Sequence, residues 1–454
     1  MAVWTSPQLI ETYLNGRIDS EFFDPAYIEA ENATLRCNTE MLGRIGCFVP
    51  GPFGSAFHVQ NYDFKSLYRY VRGRDVKPFF LLDDDNRYVP EADFNRLVKY
   101  SVLPQDLMIS VVGTLGNVAI CTENDTPAVF SCKSTVFRSN DADPYFLLAY
   151  LNSHFGRMCL LRRQRGAVQT GLNIEDLRAV PVPRFGNLIE EGIARLVQSS
   201  HDSAKQANET YTQAQQLLES ELGLDKLRFD KPVGYTARFS ELELSRRADA
   251  EFFHVKYEPF LITAKNYPHG CSSLRSQTTR SFPNFDARKQ HGDFQYIEIG
   301  DISISNGLYS SNIMPADQLP ANAKIQLSGG EMLISQVRPT RGAIAIVSDI
   351  LESVTVCSGA FYVCTANDID RREIIWLYLR CMRNVFEKFC GGTSYPTIDS
   401  RYLSQFPVPC FPDALAEKIQ KLVITSKKAA HKSHQLLDQA KSQVEQLIEE
   451  AVRS

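Results

Sequence analysis

The chain has 454 residues, a formal net charge of −4 and 44% hydrophobic residues. This length predicts two to four domains, and the apolar content is sufficient for folded cores. The sequence contains no run of about 18 apolar residues, so no membrane span is predicted, and the acidic balance argues against a protein that coats nucleic acid without regard to sequence.

The first 186 residues predict a mixed α/β globule. A motif at Arg17–Phe23, with the sequence RIDSEFF, precedes two stretches of short alternating runs separated by glycines, at 106–120 and 128–137. Such runs are typical of strands joined by tight turns. A helix is predicted over 144–157, and a Pro-Val-Pro triplet follows at 181–183.

A long helix is predicted next, over 187–222. Its apolar residues recur every three or four positions and form one narrow stripe on a polar helix, which is typical of pairing with another helix. The middle of the stripe is small, with Ser200, Ala204 and Ala207, and small side chains allow two helix axes to approach closely. The alternative is that the helix packs only on its own globule.

The same order of features then occurs a second time. The motif returns as RADAEFF at Arg247–Phe253, strand-like runs follow at 331–346 and 354–363, and a second Pro-Val-Pro lies at 407–409, which is 226 residues after the first. A second long helix is predicted over 413–451. The chain is therefore predicted to be a tandem duplication.

The predicted fold class is α+β, with two mixed α/β globules in tandem pseudo-repeat, each followed by a long helix. The predicted domains are residues 1–186, a helix over 187–229, residues 230–412, and a C-terminal helix over 413–454. The residues expected to pair the helices are Ile193, Leu196, Ala204, Ala207, Leu218, Ile419, Leu422, Ala430, Leu437 and Val444.

Catalytic motifs do not occur in the sequence. It contains no phosphate-binding loop, no dinucleotide-binding glycine motif, no His-Glu-x-x-His and no Gly-x-Ser-x-Gly. Asp24-Pro-Ala-Tyr27 partly resembles the Asp-Pro-Pro-Tyr of amino-methyltransferases, but the second copy has His254 in place of the aspartate, which favours a structural turn. We therefore expect no catalytic residues, no cofactor and no metal.

The eleven cysteines lack the regular spacing of a zinc site or a disulfide framework. The N-terminus has no basic start followed by an apolar stretch, so no export signal is predicted. We expect reduced thiols and a cytoplasmic protein.

The whole chain resembles the DNA-specificity subunit of type I restriction–modification systems, which act in DNA methylation and phage defence. The features that carry the resemblance are the two-copy plan, the Leu333-Ile334-Ser335 run followed by a turn at Gly342, and a long helix after each Pro-Val-Pro. The family implies two target-recognition domains that each recognise one half of a bipartite, asymmetric site in double-stranded DNA. It also implies that the two helices pair as an antiparallel coiled coil.

The resemblance further implies partner subunits. Two methyltransferase subunits would carry S-adenosylmethionine, and an ATP-driven restriction and translocase subunit can join them. This chain would then be the non-catalytic subunit that positions the others on the DNA.

Basic and polar side chains in predicted loops are candidates for contacts with DNA phosphates and base edges. They are Lys65, Arg69, Arg72, Arg74, Arg163, Arg165, Gln169 and Thr170 in the first copy, and Arg280, Arg288, Lys289, Arg338, Thr340, Arg341, Thr393, Ser394 and Tyr395 in the second. A different class of function also fits the sequence, namely a non-enzymatic scaffold with two protein-binding globules joined by a coiled coil. A stand-alone enzyme with an unfamiliar site is a third reading of the sequence.

Overall fold

A computed structural model of the protein describes residues 16–52, 54–83, 86–166, 170–229, 232–392 and 395–453. The chain divides into two compact units. The first unit comprises Met1–Ala204 and His431–Ser454, and the second unit comprises Lys205–Ala430. No helix in the described ranges is both long and apolar enough to cross a membrane.

The first unit is built on a four-stranded antiparallel sheet and a three-stranded sheet. Its strands are β1 (Thr39–Met41), β2 (Gly46–Pro50), β3 (Tyr68–Val71), β4 (Tyr88–Val89), β5 (Leu107–Ser110), β6 (Val118–Ile120), β7 (Ala128–Phe130), β8 (Ser134–Ser139), β9 (Gln164–Arg165), β10 (Gly171–Leu172) and β11 (Pro181–Pro183). Its short helices are α1 (Pro25–Leu35), α2 (Glu91–Arg96), α3 (Pro144–Asn152), α4 (His154–Leu161) and α5 (Ile174–Arg178). The sheet orders are β2-β8-β5-β6 and β4-β3-β7, and β9 and β10 form a hairpin.

The first long helix, α6 (Asn187–Leu222), is followed by the elements of the second unit. The helices there are α7 (Phe239–Ser245), α8 (Glu258–Lys265), α9 (Leu274–Gln277), α10 (Arg372–Cys381) and α11 (Ser400–Ser404). The strands are β12 (Cys271–Ser273), β13 (Thr278–Ser281), β14 (Asp293–Ile297), β15 (Asn312–Pro315), β16 (Ala323–Gln326), β17 (Met332–Ser335), β18 (Ile344–Ile346), β19 (Thr355–Ser358), β20 (Phe361–Ala366), β21 (Cys390–Gly391), β22 (Thr397–Ile398) and β23 (Pro407–Pro409). The second long helix, α12 (Asp413–Arg453), follows.

The predicted duplication is confirmed by the order of the strands in the larger sheet and by one parallel strand pair in each unit. The sheet β13-β20-β17-β18 repeats the order of β2-β8-β5-β6, and the parallel pair β14 and β19 repeats the parallel pair β3 and β7. Each Pro-Val-Pro forms an edge strand, which suits proline because an edge position needs no donor on its outer side. A buried tyrosine donates to each triplet: Tyr150 to the carbonyl oxygen of Pro181, and Tyr378 to that of Pro407.

The repeated arginine motif has the same structural role in both units. Arg17 Nη2 donates to the carbonyl oxygen of Gln164 in β9, and Arg247 Nη2 donates to that of Cys390 in β21. Each arginine also forms an ion pair with the aspartate two residues later, at 2.6 and 2.7 Å. The motif therefore ties the segment before each globule to the hairpin formed by β9 and β10 or by β21 and β22.

The long helices pair through their small residues. In the first unit the hydroxyl oxygens of Ser200 and Ser433 lie 2.8 Å apart, and both residues are buried. In the second unit Ser426 Oγ donates to the carbonyl oxygen of Ala207 at 2.7 Å. Each unit therefore contains a hydrogen bond between the two long helices.

The apolar stripes also complete the cores of the globules. The core of the first unit joins Ile193 and Val197 of α6 and Val444 of α12 to the sheet and to α3. The core of the second unit joins Leu218 and Ile419 to α10 in the same way. Helix pairing and packing on the globule, which the sequence presented as alternatives, therefore occur together.

The ten predicted helix-pairing residues are all buried or half-buried. Ile193, Ala207, Leu218, Ile419, Ala430, Leu437 and Val444 are buried, and Leu196, Ala204 and Leu422 are half-buried. The predicted boundaries at 187 and 413 coincide with the first residues of the two helices. The compact units, by contrast, divide within the helices, because each unit takes half of each helix into its core.

Candidate nucleic-acid interface

The turn between β17 and β18 carries two arginines and is tied to the hairpin of β21 and β22. The backbone N–H of Arg338 donates to the carbonyl oxygen of Pro396 at 2.7 Å, and Val337 pairs with Thr397. The guanidinium of Arg338 lies 4.5 Å from the ring centroid of Tyr395, which is 65% exposed. The structure therefore brings together two side chains that the sequence placed separately on the candidate surface.

Arg338 has a left-handed backbone, with φ +48°. The corresponding turn of the first unit has Gly113 at this position, also with positive φ, and in both units the preceding residue pairs with the second strand of the hairpin. A left-handed conformation costs a residue with a side chain roughly 1–2 kcal/mol, whereas glycine adopts it freely. The second unit thus retains an arginine side chain at a position where the fold favours glycine.

The other two candidates in this turn lie next to Arg338. The backbone N–H of Arg341 donates to the carbonyl oxygen of Arg338 at 3.0 Å and closes the turn, and the Arg341 side chain is exposed. Thr340 is half-buried and lines a cleft with Lys256 and Glu387. Within the described ranges, neither arginine of the turn forms a salt bridge.

Arg280 of β13 lies beside the same turn. Its guanidinium is 4.9 Å from the ring centroid of Phe282 and 4.9 Å from that of Tyr362. Its Nη2 donates to Ser400 Oγ at 2.9 Å, and Nε2 of Gln336 donates to the same oxygen at 2.9 Å. Since Gln336 immediately precedes the paired segment of the turn, the hydrogen bonds connect Arg280 to the part of the chain that carries Arg338.

Arg288 and Lys289 occupy a short helical turn before β14, and both side chains are exposed. Arg288 forms an ion pair with Asp286 at 3.1 Å. The hydrogen bond from Arg288 lowers the pKa of the Asp286 carboxyl. A solvated pair of this kind contributes little to stability, so both cations remain accessible to an anionic partner.

In the first unit, Arg165 begins the loop of the hairpin formed by β9 and β10. It forms an ion pair with Asp176 at 2.6 Å, and the hydrogen bond to that carboxylate raises the pKa of Arg165. Both residues line a cavity of about 510 Å³, together with Thr135 and Glu175. Thr170 of the same loop is exposed, whereas the candidates Gln169, Thr393 and Ser394 lie outside the described residues.

Two of the candidate arginines are buried in the first unit and paired there with carboxylates. Arg69 is 6% exposed and forms an ion pair with Asp125 at 2.6 Å, and Arg163 is 7% exposed and forms one with Glu31 at 2.7 Å. Both guanidinium groups also donate to backbone carbonyls of the globule. Their positive charges are therefore compensated inside the first unit rather than offered at its surface.

The remaining basic candidates of the first unit lie in and near β3. Arg72 is half-buried, and its guanidinium and backbone N–H both donate to the Asp75 carboxylate. Arg74 is exposed, with its Nε 3.9 Å from the same carboxylate, and Lys65 is exposed in the loop before β3. Arg72 therefore has a structural role, whereas Arg74 and Lys65 can reach solvent.

Sequence reasoning missed the residues that hold Arg280, namely Phe282, Tyr362, Gln336 and Ser400. Phe282 alone gave a signal, because an aromatic residue two positions after an arginine on a strand projects from the same face. Ser400 and Gln336 contribute through tertiary contacts that no local pattern records. Among the described residues, no group of three or more His, Cys, Asp or Glu side chains could hold a metal ion.

Comparison with protein-family models gave no match, and comparison with curated proteins gave no match either. Among solved structures, the chain is similar to the type I restriction–modification S subunit of M. genitalium, at 12% identity, 91% coverage of this chain, 95% coverage of the other and a TM-score of 0.44. It is similar to the HsdS subunit of Thermoanaerobacter tengcongensis at 14% identity, with coverages of 92% and 96% and a TM-score of 0.29.

A third similar chain belongs to a structure described as the structural basis underlying complex assembly and conformational transition of the type I R-M system. The identity is 14%, the coverages are 90% and 97%, and the TM-score is 0.28.

Proposed function

We propose that this chain is the DNA-specificity subunit of a type I restriction–modification complex. In this proposal each unit recognises one half of a bipartite, asymmetric site in double-stranded DNA. The chain carries no catalytic residues and positions two methyltransferase subunits, which bind S-adenosylmethionine. A restriction and translocase subunit that uses ATP can join the same assembly.

The observation that carries the proposal is a duplicated scaffold with different side chains at equivalent surface positions. The turn that holds Arg338 and Arg341 in the second unit holds Gly113 in the first, while the sheets behind the two turns have the same strand order. Phosphate contacts position a protein on DNA, and contacts with base edges specify the sequence. Two equivalent scaffolds that place different side chains against the base edges would recognise two different half-sites.

The alternative, a scaffold that binds other proteins, predicts no preference for polyanions. The three arginines at or beside the turn of the second unit favour DNA, because Arg280, Arg338 and Arg341 form no salt bridge with any carboxylate in the described part of the chain. Cations without an internal carboxylate partner are suited to phosphates and to the acceptor atoms of guanine.

Selection from a pool of random DNA duplexes tests the proposal. The purified full-length chain, alone and with a methyltransferase partner, should enrich duplexes with two short blocks of different sequence, separated by a constant length of unselected base pairs. Enrichment of one continuous block, or of no sequence, would contradict the proposed function.

The turn between β17 and β18 gives a specific prediction. Arg338→Ala and Arg341→Ala should each weaken binding to the selected duplex, by roughly 1–3 kcal/mol for whichever side chain contacts a base edge. A phosphate contact would instead weaken binding to all duplexes about equally and reduce the salt dependence. Affinities can be measured by fluorescence anisotropy at several salt concentrations, and unchanged affinity of both folded variants would exclude the turn from the interface.

A further inference from the structure

Arg280 is a guanidinium that the second unit holds in place without a carboxylate at salt-bridge distance. The rings of Phe282 and Tyr362 lie on it, and Ser400 Oγ accepts from its Nη2. The carboxylate beside Ser400, that of Asp399, is paired with Arg401 at 3.1 Å instead. Within the described ranges, Arg280 forms no salt bridge.

The fold does not need an arginine at this position. In the second unit Cys364 of β20 lies between Arg280 and Met332 of the neighbouring strands. In the first unit the residue equivalent to Cys364 is Phe137 of β8, which lies between Phe48 and Leu107 of the neighbouring strands. Phe48 therefore occupies the place of Arg280. The same sheet is thus completed by a buried phenylalanine in one unit and by a half-buried cation in the other.

The polar atoms around Arg280 do not accept hydrogen bonds from all of its N–H groups. Its Nε is buried without a hydrogen-bond partner, and so is the hydroxyl of Tyr362. Burial raises the pKa of Tyr362, so this phenol stays neutral and supplies no negative charge. Nη1 makes no hydrogen bond with the described residues and is not enclosed by them. Nη1 is therefore the donor of this half-buried cation that is left for an acceptor supplied from outside the chain.

We propose that Arg280 recognises a guanine in the half-site bound by the second unit; this inference rests on the function proposed above. Guanine presents two acceptors, O6 and N7, in the major groove, and the planar fork of an arginine donates to both. The two aromatic rings and Ser400 hold this fork in one orientation before DNA binds. Holding it in this way reduces the entropy lost when the contact forms.

A phosphate contact is the competing role for the same side chain. Phosphate accepts from a cation in many orientations, and lysine serves as well as arginine for a point-charge contact. The rings of Phe282 and Tyr362 and the hydrogen bond to Ser400 instead fix the plane of the guanidinium. A fixed plane is needed to donate to two acceptors on one base edge, but not to contact a phosphate. The clamped geometry therefore favours guanine over phosphate.

The test compares Arg280→Lys and Arg280→Phe with the unchanged full-length chain. The probes are the duplex selected by that chain and variants in which each guanine of the second half-site is replaced in turn. Arg280→Lys should weaken binding to the selected duplex by about 10- to 100-fold and remove the preference for guanine at one position. Arg280→Phe installs the residue used by the first unit, so it keeps the sheet filled and should show the same loss.

Arg401→Lys is the matched control, because Arg401 lies in α11 next to Ser400, is 85% exposed at its side chain and is paired with Asp399. It should leave the guanine preference unchanged. If Arg280→Lys binds every duplex like the unchanged chain while Arg280→Phe weakens all duplexes equally, Arg280 contacts phosphate and the inference is overturned. If the unchanged chain selects no duplex at all, the proposed function itself fails, which is a distinguishable result.

Discussion

Matched four-residue insertions after Ala204 in α6 and after Ala430 in α12 should add one or two unselected base pairs between the half-sites. At about 1.5 Å per residue, four residues lengthen each helix by roughly 6 Å, and DNA rises about 3.4 Å per base pair. The insertion points are the boundaries of the two compact units, so the insertions divide neither unit. Both half-site sequences should therefore stay the same in a duplex selection.

The predicted antiparallel pairing explains why both helices must be lengthened. An insertion near Ala207 alone would move Ser426 away from the Ala207 carbonyl while Ser200 and Ser433 remain paired. Four residues make slightly more than one helical turn of about 3.6 residues, so the apolar stripes nearly keep their faces. Two-residue insertions at the same points serve as the control, because they rotate the stripes by more than half a turn and should destabilise the protein. An unchanged spacer after the four-residue insertions would show that the helices do not set it.

Glu31→Ala should lower the free energy of unfolding of the first unit by about 3–5 kcal/mol, because it leaves the buried Arg163 without a counterion. Glu31 Oε1 accepts from Arg163 at 2.7 Å, and its Oε2 lies 3.1 Å from Arg162. Urea unfolding followed by circular dichroism measures the change. Arg165→Ala is the control, since Arg165 is 44% exposed at its side chain and its pair with Asp176 should contribute no more than about 1 kcal/mol.

A loss of less than about 1 kcal/mol in Glu31→Ala, equal to that of the control, would contradict the structural role assigned to Arg163. In that case the side chain could reorient toward solvent, and its exclusion from the candidate interface would have to be reversed. Hydrogen exchange of α1 and α4 provides an independent measure, because Glu31 lies on the first and Arg163 follows the second.

The architecture was predictable because it depends on patterns that the chain contains twice. The recurrence of the arginine motif and of the Pro-Val-Pro triplet after about half of the chain predicted the duplication. The three-to-four spacing of apolar residues predicted α6 and α12 with nearly the observed ends. Small residues at Ser200 and Ala207 predicted close approach of the helices. Each of these signals is local, or repeats at a fixed interval, and is therefore visible in one sequence.

The candidate site was less predictable, because tertiary contacts decide which arginines remain at the surface. The run Leu161-Arg-Arg-Gln-Arg165 contains three arginines, yet Arg163 is paired with a carboxylate 132 residues earlier in the chain. Arg69 is removed from the surface in the same way by Asp125. The residues that hold Arg280, namely Phe282, Tyr362 and Ser400, come from three separate segments of the chain. No local sequence pattern could therefore predict that they surround Arg280.

The domain boundaries differ for a related physical reason. A narrow apolar stripe predicts that a helix packs against another helix. The stripe alone does not show whether a globule packs against the same residues as well. In the structure the stripe of α6 contacts both a globule and α12, so the compact units divide inside the helices. Whether the predicted segments 1–186 and 230–412 fold independently of the helices stays a prediction.

The most direct test of the central claim is a duplex selection with a chimaeric chain. Residues 20–180, which lie within the first unit, are replaced by the corresponding segment of another chain with the same repeat plan, and the selected sequences are compared with those of the unchanged chain. If the two units recognise separate half-sites, one block changes while the other block and the spacer length stay the same. A change in both blocks, or in neither, would contradict the claim.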